Sequence, residues 1–220
     1  MQYATPDPNQ NQVTRYKLQV APKMWLLTLS KDCRIFQDES PLDIIKKILQ
    51  EHSVEHVDIK AKGGQTPRAY CVQYNETHFD FVTRLMQEEG IFFFFEHDKK
   101  SHTLVLADLE EHFDVCKGSE NLEYHDSILH LPALNTVSDF DFQENIASLS
   151  YASNDYNMTN AGTNLYALVQ GKPEDDLLSG AMYEYPGQMD NEIIPTQDRL
   201  EALMTMRLEE QQSRRKRIYM

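Results

Sequence analysis

The chain has 220 residues, enough for one large domain or two small ones, and its 40% apolar and 25% charged residues suit a soluble fold with a buried core. Thirty-five acidic against 21 basic side chains give a formal net charge of −14, which repels phosphate backbones and argues against a nucleic-acid binder driven by counterion release. The longest apolar run, Ile91 to Phe95, is far short of the ~20 residues that cross a bilayer.

Met1-Gln2-Tyr3-Ala4-Thr5-Pro6 has neither a basic stretch nor an apolar one, so no secretory signal is expected there. Residues 5–12 are polar and rich in turn formers, which predicts a loop. Tyr16 to Val20 alternates apolar and polar side chains, the period of a half-buried strand, and Pro22 ends it.

A helix is predicted from Pro41 to near His52. Ser40 is its N-cap, Asp43 completes the capping box, and Leu42, Ile45, Ile48 and Leu49 make the apolar stripe. Val54 to Ile59 alternates again and Gly63-Gly64 marks a turn. Arg68 to Tyr74 predicts a strand with Tyr70, Val72 and Tyr74 on one face. A second helix follows, capped by Thr77 and Asp80, striped with Phe81, Val82, Leu85 and Met86, and ended by Gly90 in the left-handed conformation. Ile91 to Phe95 and Thr103 to Leu106 form a hairpin about Asp98-Lys99-Lys100-Ser101.

The signal weakens beyond residue 108. Ser138 to Phe142 alternates, Tyr151 to Leu165 reads as loop, and Leu165 to Val169 as a short strand. Thr196 to Arg214 is a third helix, with Leu200, Leu203, Met204 and Leu208 at helical spacing. The basic run Arg214-Arg215-Lys216-Arg217 reads as a solvated helix face or tail. The three cysteines, Cys33, Cys71 and Cys116, are odd in number and widely spaced, which suits a reducing compartment and synthesis in the cytosol.

Two segments carry a resemblance: Arg68-Ala69-Tyr70-Cys71-Val72-Gln73-Tyr74-Asn75-Glu76, and Phe81-Val82-Thr83-Arg84-Leu85-Met86-Gln87-Glu88-Glu89-Gly90-Ile91. They resemble the signature of VgrG spike proteins and of phage late-control hub proteins. Further blocks follow in the family's order: Trp25-Leu26-Leu27, Asp32 to Gln37, Phe93 to His97, Leu104 to Asp108, Tyr183-Glu184-Tyr185-Pro186-Gly187 and Arg199-Leu200-Glu201. The resemblance implies an α+β chain: β-barrel segments of a hub-like head with an inserted module of two helices on a small sheet. On that reading residues 1–30 are hub-barrel strands, 31–110 the insert, and 111–220 second-barrel segments ending in a helix. It implies a structural component of a type VI secretion or phage-tail apparatus. Its partners would be copies of itself in a trimer, an Hcp-like tube protein, and effector or adaptor proteins. It would assemble in the cytoplasm and be translocated with the apparatus, without inserting into a membrane itself. The rest of the first barrel and the needle are expected to be missing, so a degenerate hub remnant or adaptor is an alternative.

No catalytic, cofactor-binding or metal site is assigned. The sharpest competing pattern is His52-Ser53-Val54-Glu55-His56, which matches the H-x-x-E-H of zinc peptidases. A zinc hydrolase would need His52, Glu55 and His56 on one helix plus a third protein ligand, and the β-branched alternation after Ser53 argues that the helix has ended. His97 and His102 are expected to flank the hairpin turn. Phe92 to Phe95 puts large apolar groups on both faces of one strand, so a second layer must cover the face turned away from the helices.

Overall fold

The computed structural model describes residues 2–3, 16–114, 123–124, 136–137, 140–157, 160–172, 179–187, 196–213 and 215–219. The predicted loop at 5–12, Cys116, Ser138, Asp139 and Arg214 lie outside these residues.

In the first half, caps set the boundaries and burial supplies the stability. After β1 (Gln2–Tyr3), β2 (Tyr16–Lys17) and a 3-10 helix (Lys23–Leu29) come β3 (Lys31–Phe36) and α1 (Pro41–Glu51). Ser40 Oγ accepts the Asp43 N–H at 3.2 Å, a cap worth about 1 kcal/mol. Leu42, Ile44, Ile45, Ile48 and Leu49 are buried, at about 1.5–3 kcal/mol each. Then follow β4 (Val57–Ile59), β5 (Cys71–Thr77) and α2 (His78–Glu88). Thr77 caps α2 by accepting the Asp80 N–H at 3.0 Å. Gly90 closes it at φ 68°, while the Ile91 N–H reaches back to the Met86 carbonyl at 2.8 Å. The hairpin is β6 (Phe92–His97) and β7 (His102–Ala107), its turn closed by the Asp98 N–H on the Ser101 carbonyl at 2.9 Å.

These elements enclose one core. β3 pairs antiparallel with β5, and β4 runs parallel to β7, which pairs antiparallel with β6. Phe36 stacks on the fully buried Phe81 with ring centroids 5.6 Å apart. Met24 and Leu27 of the 3-10 helix lie in the same core. Phe93 and Phe95 pack inward with Leu104 and Leu106. The opposite face of β6 carries Phe92 and Phe94, covered by Phe113, whose ring lies 5.2 Å from one and 4.9 Å from the other. Phe113 follows a second 3-10 helix (Glu110–His112). The second layer over the phenylalanine strand is thus supplied by the next few residues of the same chain.

The second half holds β8 (Glu123–Tyr124), β9 (Thr136–Val137), β10 (Asp141–Glu144), β11 (Ser150–Tyr156), β12 (Asn164–Gln170), β13 (Ala181–Glu184), α3 (Gln197–Ser213) and β14 (Lys216–Tyr219). β11 is central, antiparallel to β12 and parallel to β13. α3 lays Leu200, Leu203, Met204 and Leu208 on Tyr151, Leu165 and Ala167 as a separate second core. β10 pairs with β14.

Several expectations need correction. Residues 18–20 are exposed and outside any strand, so the Tyr16–Val20 alternation yields only the two residues of β2. Residues 54–56 are not strand, because the Val54 N–H still donates to the Leu49 carbonyl across a left-handed Ser53 (φ 56°). The strand predicted from Arg68 begins three residues later, since Arg68 turns inward as an ion-pair partner. The predicted loop from Tyr151 contains β11, whose polar side chains are satisfied inside the sheet: Ser153 Oγ donates to the Glu184 carbonyl at 2.8 Å. Of the basic run, read as a helix face or tail, Lys216 and Arg217 lie in β14, with Lys216 3.2 Å from Glu144.

Candidate interaction surface

The zinc-peptidase pattern is dismantled by the backbone. α1 ends at Glu51, His52 is its C-cap, and Ser53 at φ 56° turns the chain away. Two histidines four apart share a helix face only while the helix continues, so His52 and His56 are not presented together. The His52 ring instead lies against His78, with centroids 4.5 Å apart. Glu55 and His56 line a cleft with Lys23, Lys100 and His102. There His102 Nε2 already accepts the Lys23 backbone N–H at 3.2 Å. His97 and His102 do face one another across the hairpin, 6.1 Å apart. Among the described residues no group of three His, Cys, Asp or Glu side chains is placed to hold a metal ion.

What the described residues do present is apolar sheet surface. Cys71 and Gln73 of β5 point inward, so Val72 and Tyr74 point outward, with Ile35 opposite Val72 and Cys33 opposite Tyr74. Tyr74 is 78% exposed. Val72 and Tyr74 therefore share one face as expected, and it is the outer one, while Tyr70 precedes the strand. The sheet of β11, β12 and β13 repeats the arrangement, its inner face under α3. Its outer face carries Tyr166 opposite Asn154, and Leu168 and Tyr183 flanking Ala152. Tyr183 is 63% exposed. On the β10–β14 ribbon Phe142 and Ile218 are directly opposed, each about half exposed. Tyrosine presents a broad, rigid apolar body with a polar tip at little entropic cost, which suits it to protein interfaces. Scattered single apolar residues need no explanation, but opposed pairs on three ribbons do.

The two cores are tied by charge. Arg68 Nη2 lies 2.6 Å from Glu89 Oε1, Arg68 Nη1 lies 2.6 Å from Glu88 Oε2, and Arg199 Nη2 of α3 lies 2.8 Å from Glu89 Oε2. Burial opposes the charge on Arg68, but the two carboxylates outweigh it and its pKa is raised. Arg84 adds links to Glu76 at 2.7 Å and Glu88 at 3.0 Å. Beside the cluster, Met206 of α3 comes so close to Gly90 that a Cβ there would sit 2.5 Å from its sulfur. The shared face of Val72 and Tyr74 was legible in the residue pattern, but its outward direction, the other two faces and the charge cluster were not. Arg68 reads as a strand residue, and the outward direction of Tyr74 depends on which side of β5 the core lies. The acidic pair Glu88-Glu89 next to a C-cap glycine, with a basic residue about twenty positions upstream, was the only available hint.

A family model described as phage tail baseplate hub (GPD) matches residues 3–220. The chain is 32% identical over 201 residues to the type VI secretion system spike protein VgrG1c of Pseudomonas aeruginosa, a match covering 88% of this chain and 27% of that protein. It is 31% identical over 207 residues to VgrG1b of the same organism, covering 94% of this chain and 27% of that protein. The chain thus spans about a quarter of the length of these relatives. The crystal structure of a tail protein from Neisseria meningitidis MC58 superposes with a TM-score of 0.54 at 14% identity, over 87% of this chain and 53% of that one. That likeness is one of fold.

Proposed function

Since the chain belongs to the phage tail baseplate hub family, we propose that it is a structural segment of the hub of a contractile injection apparatus and works by packing rather than by catalysis. The observation that carries this reading is the match over almost the whole chain to a family of hub proteins. The three outward apolar faces support it, because a hub segment must bury sheet surface against neighbours. In this role the α1–α2 module is a rigid block, and the faces around Tyr74, Tyr183 and Phe142 are contact surfaces. They would meet copies of the chain in a trimer, an Hcp-like tube protein below, and effector or adaptor proteins. Assembly would take place in the cytoplasm, with the protein carried outward by the apparatus. The domain division at residues 30 and 110 belongs to the same reading, with the insert as the block and the flanking segments contributing to barrels. No cofactor is required.

Light scattering tests self-association directly, and trimeric mass is the expected result. Tyr74→Asp and Tyr183→Asp should leave circular dichroism and thermal unfolding nearly unchanged while lowering the associated fraction. A monomer at all concentrations, indifferent to both substitutions, would remove the self-packing part of the proposal.

A further inference from the structure

At the junction of α1, β5 and α2 lies a group of side chains that the hub role does not require. His78, the first residue of α2, is 5% exposed, and Gln73 of β5 is 0% exposed. Gln73 Nε2 stands 3.1 Å from the Glu76 carbonyl and 3.2 Å from His78 Nδ1. A carbonyl oxygen only accepts, so the amide nitrogen must be the atom facing Glu76. Its second hydrogen then points at His78 Nδ1, which must accept and carries no proton. His78 is therefore neutral, protonated on Nε2 alone. Among the described residues Gln73 Oε1 is buried with no hydrogen-bond partner, so the amide is held through its nitrogen alone.

We propose that His78, Gln73 and His52 form an acid-sensitive joint that locks the α1–α2 end of the module only while His78 is neutral. A second proton on His78 sets N–H against N–H. Turning the Gln73 amide to receive it would set Oε1 against the Glu76 carbonyl instead, so neither orientation satisfies both neighbours. The His52 ring, 4.5 Å away, supplies a second imidazole that disfavours a positive charge on the first. The charged surroundings are mixed. From β3, Arg34 opposes protonation and Asp32 favours it; from α1, Glu51 favours it; Lys31, opposite Thr77 in the ladder, is exposed. The 3-10 helix packed against α2 buries only Met24 and Leu27. The N-terminal end of α2 is itself a positive pole. Burial, with His52 and Arg34, lowers the His78 pKa from its usual value.

The sign follows from linkage. Above the unfolded value of about 6.5, both states are neutral at this residue and the joint contributes in full. As pH falls through that value the unfolded chain takes the proton first, and stability is lost until the pH passes the lower folded value. What loosens is specific. The His78 backbone N–H donates to the Ser30 carbonyl at 3.1 Å, and His52 is the C-cap of α1, so a shift of the two rings would loosen an anchoring end of each helix.

The test is thermal unfolding of the full chain between about pH 7.5 and about pH 5. The wild type should lose several degrees of Tm over this range. His78→Gln, which can still accept from Gln73 and does not titrate, should lose measurably less, and His52→Gln should fall between. Parallel loss in wild type and His78→Gln would overturn the proposal. Should His78→Gln fail to fold, the NMR titration of the wild-type His78 imidazole decides. A midpoint clearly below about 6.5 is expected, and one at or above it overturns the proposal.

Discussion

Replacing Glu89 by alanine removes a side chain that joins the two cores through charge. Its carboxylate, 4% exposed, faces Arg68 at 2.6 Å and Arg199 at 2.8 Å. After truncation Arg199, which is partly exposed, can turn to water. Arg68 cannot, because its side chain is 6% exposed and, among the described carboxylates, keeps Glu88. Breaking a buried pair on one side costs about 3–5 kcal/mol, and the surviving Glu88 contact puts this case at the lower end, about 3 kcal/mol. For a chain of this size that is a fall in Tm of roughly 6–12 °C. Arg199→Ala leaves Glu89 paired with Arg68 and should cost about 1 kcal/mol. Urea unfolding followed by near-ultraviolet circular dichroism measures both. A loss under about 1 kcal/mol for Glu89→Ala, or equal losses for the two variants, would refute the assignment of Glu89 as the joint. With the link weakened, two transitions should also begin to separate, one for each core.

Other outcomes follow from named contacts. Phe81→Ala, at the fully buried centre of the first core, should cost about 3–5 kcal/mol in the same urea assay. Gly90→Ala should destabilise by at least about 1 kcal/mol, since alanine is strained at φ 68° and its Cβ meets Met206; Gly90→Ala with Met206→Ala should recover part of the loss. Thr77→Ala should remove about 1 kcal/mol by taking away the α2 cap. Burial, with Glu184 2.7 Å from its hydroxyl, pushes the Tyr151 pKa up to about 12. A phenol whose folded value is raised holds its proton after the unfolded chain has lost it. Stability should therefore be complete below about pH 10 and decline as pH rises from there toward about 12. Spectrophotometric titration should show one tyrosine fewer ionising late in Tyr151→Phe.

The first half was readable because its signals are local. Ser40 with Asp43 and Thr77 with Asp80 announce two helix starts, Gly90 one helix end, and the phenylalanine run a strand whose hairpin turn is four residues long. Each is decided within one turn of chain, and each reappears at the predicted place. The second half resisted because its central strand, Ser-Tyr-Ala-Ser-Asn-Asp-Tyr, is polar on composition and becomes strand only through partners that arrive later in the chain. The period of such a segment carries little information, since tertiary hydrogen bonds rather than apolar alternation make it stable. The zinc pattern failed for a related reason: five letters in the right order say nothing of Ser53, whose left-handed backbone parts the two histidines. The charge link through Glu89 was invisible because its members lie 21 and 110 residues from it.

The ladder between Asp141–Glu144 and Lys216–Tyr219 also sets a schedule. The described residues that make up the first core lie between Met24 and Leu106, so that block can form while the ribosome is still translating the remainder. The second sheet must wait. Strand 150–156 has one neighbour at 164–170 but lacks its other flank until 181–184 emerges and its cover until the helix at 197–213 is complete. For that interval a finished block trails a half-built sheet with bare edges, the moment at which a chaperone or a companion chain would find its firmest hold.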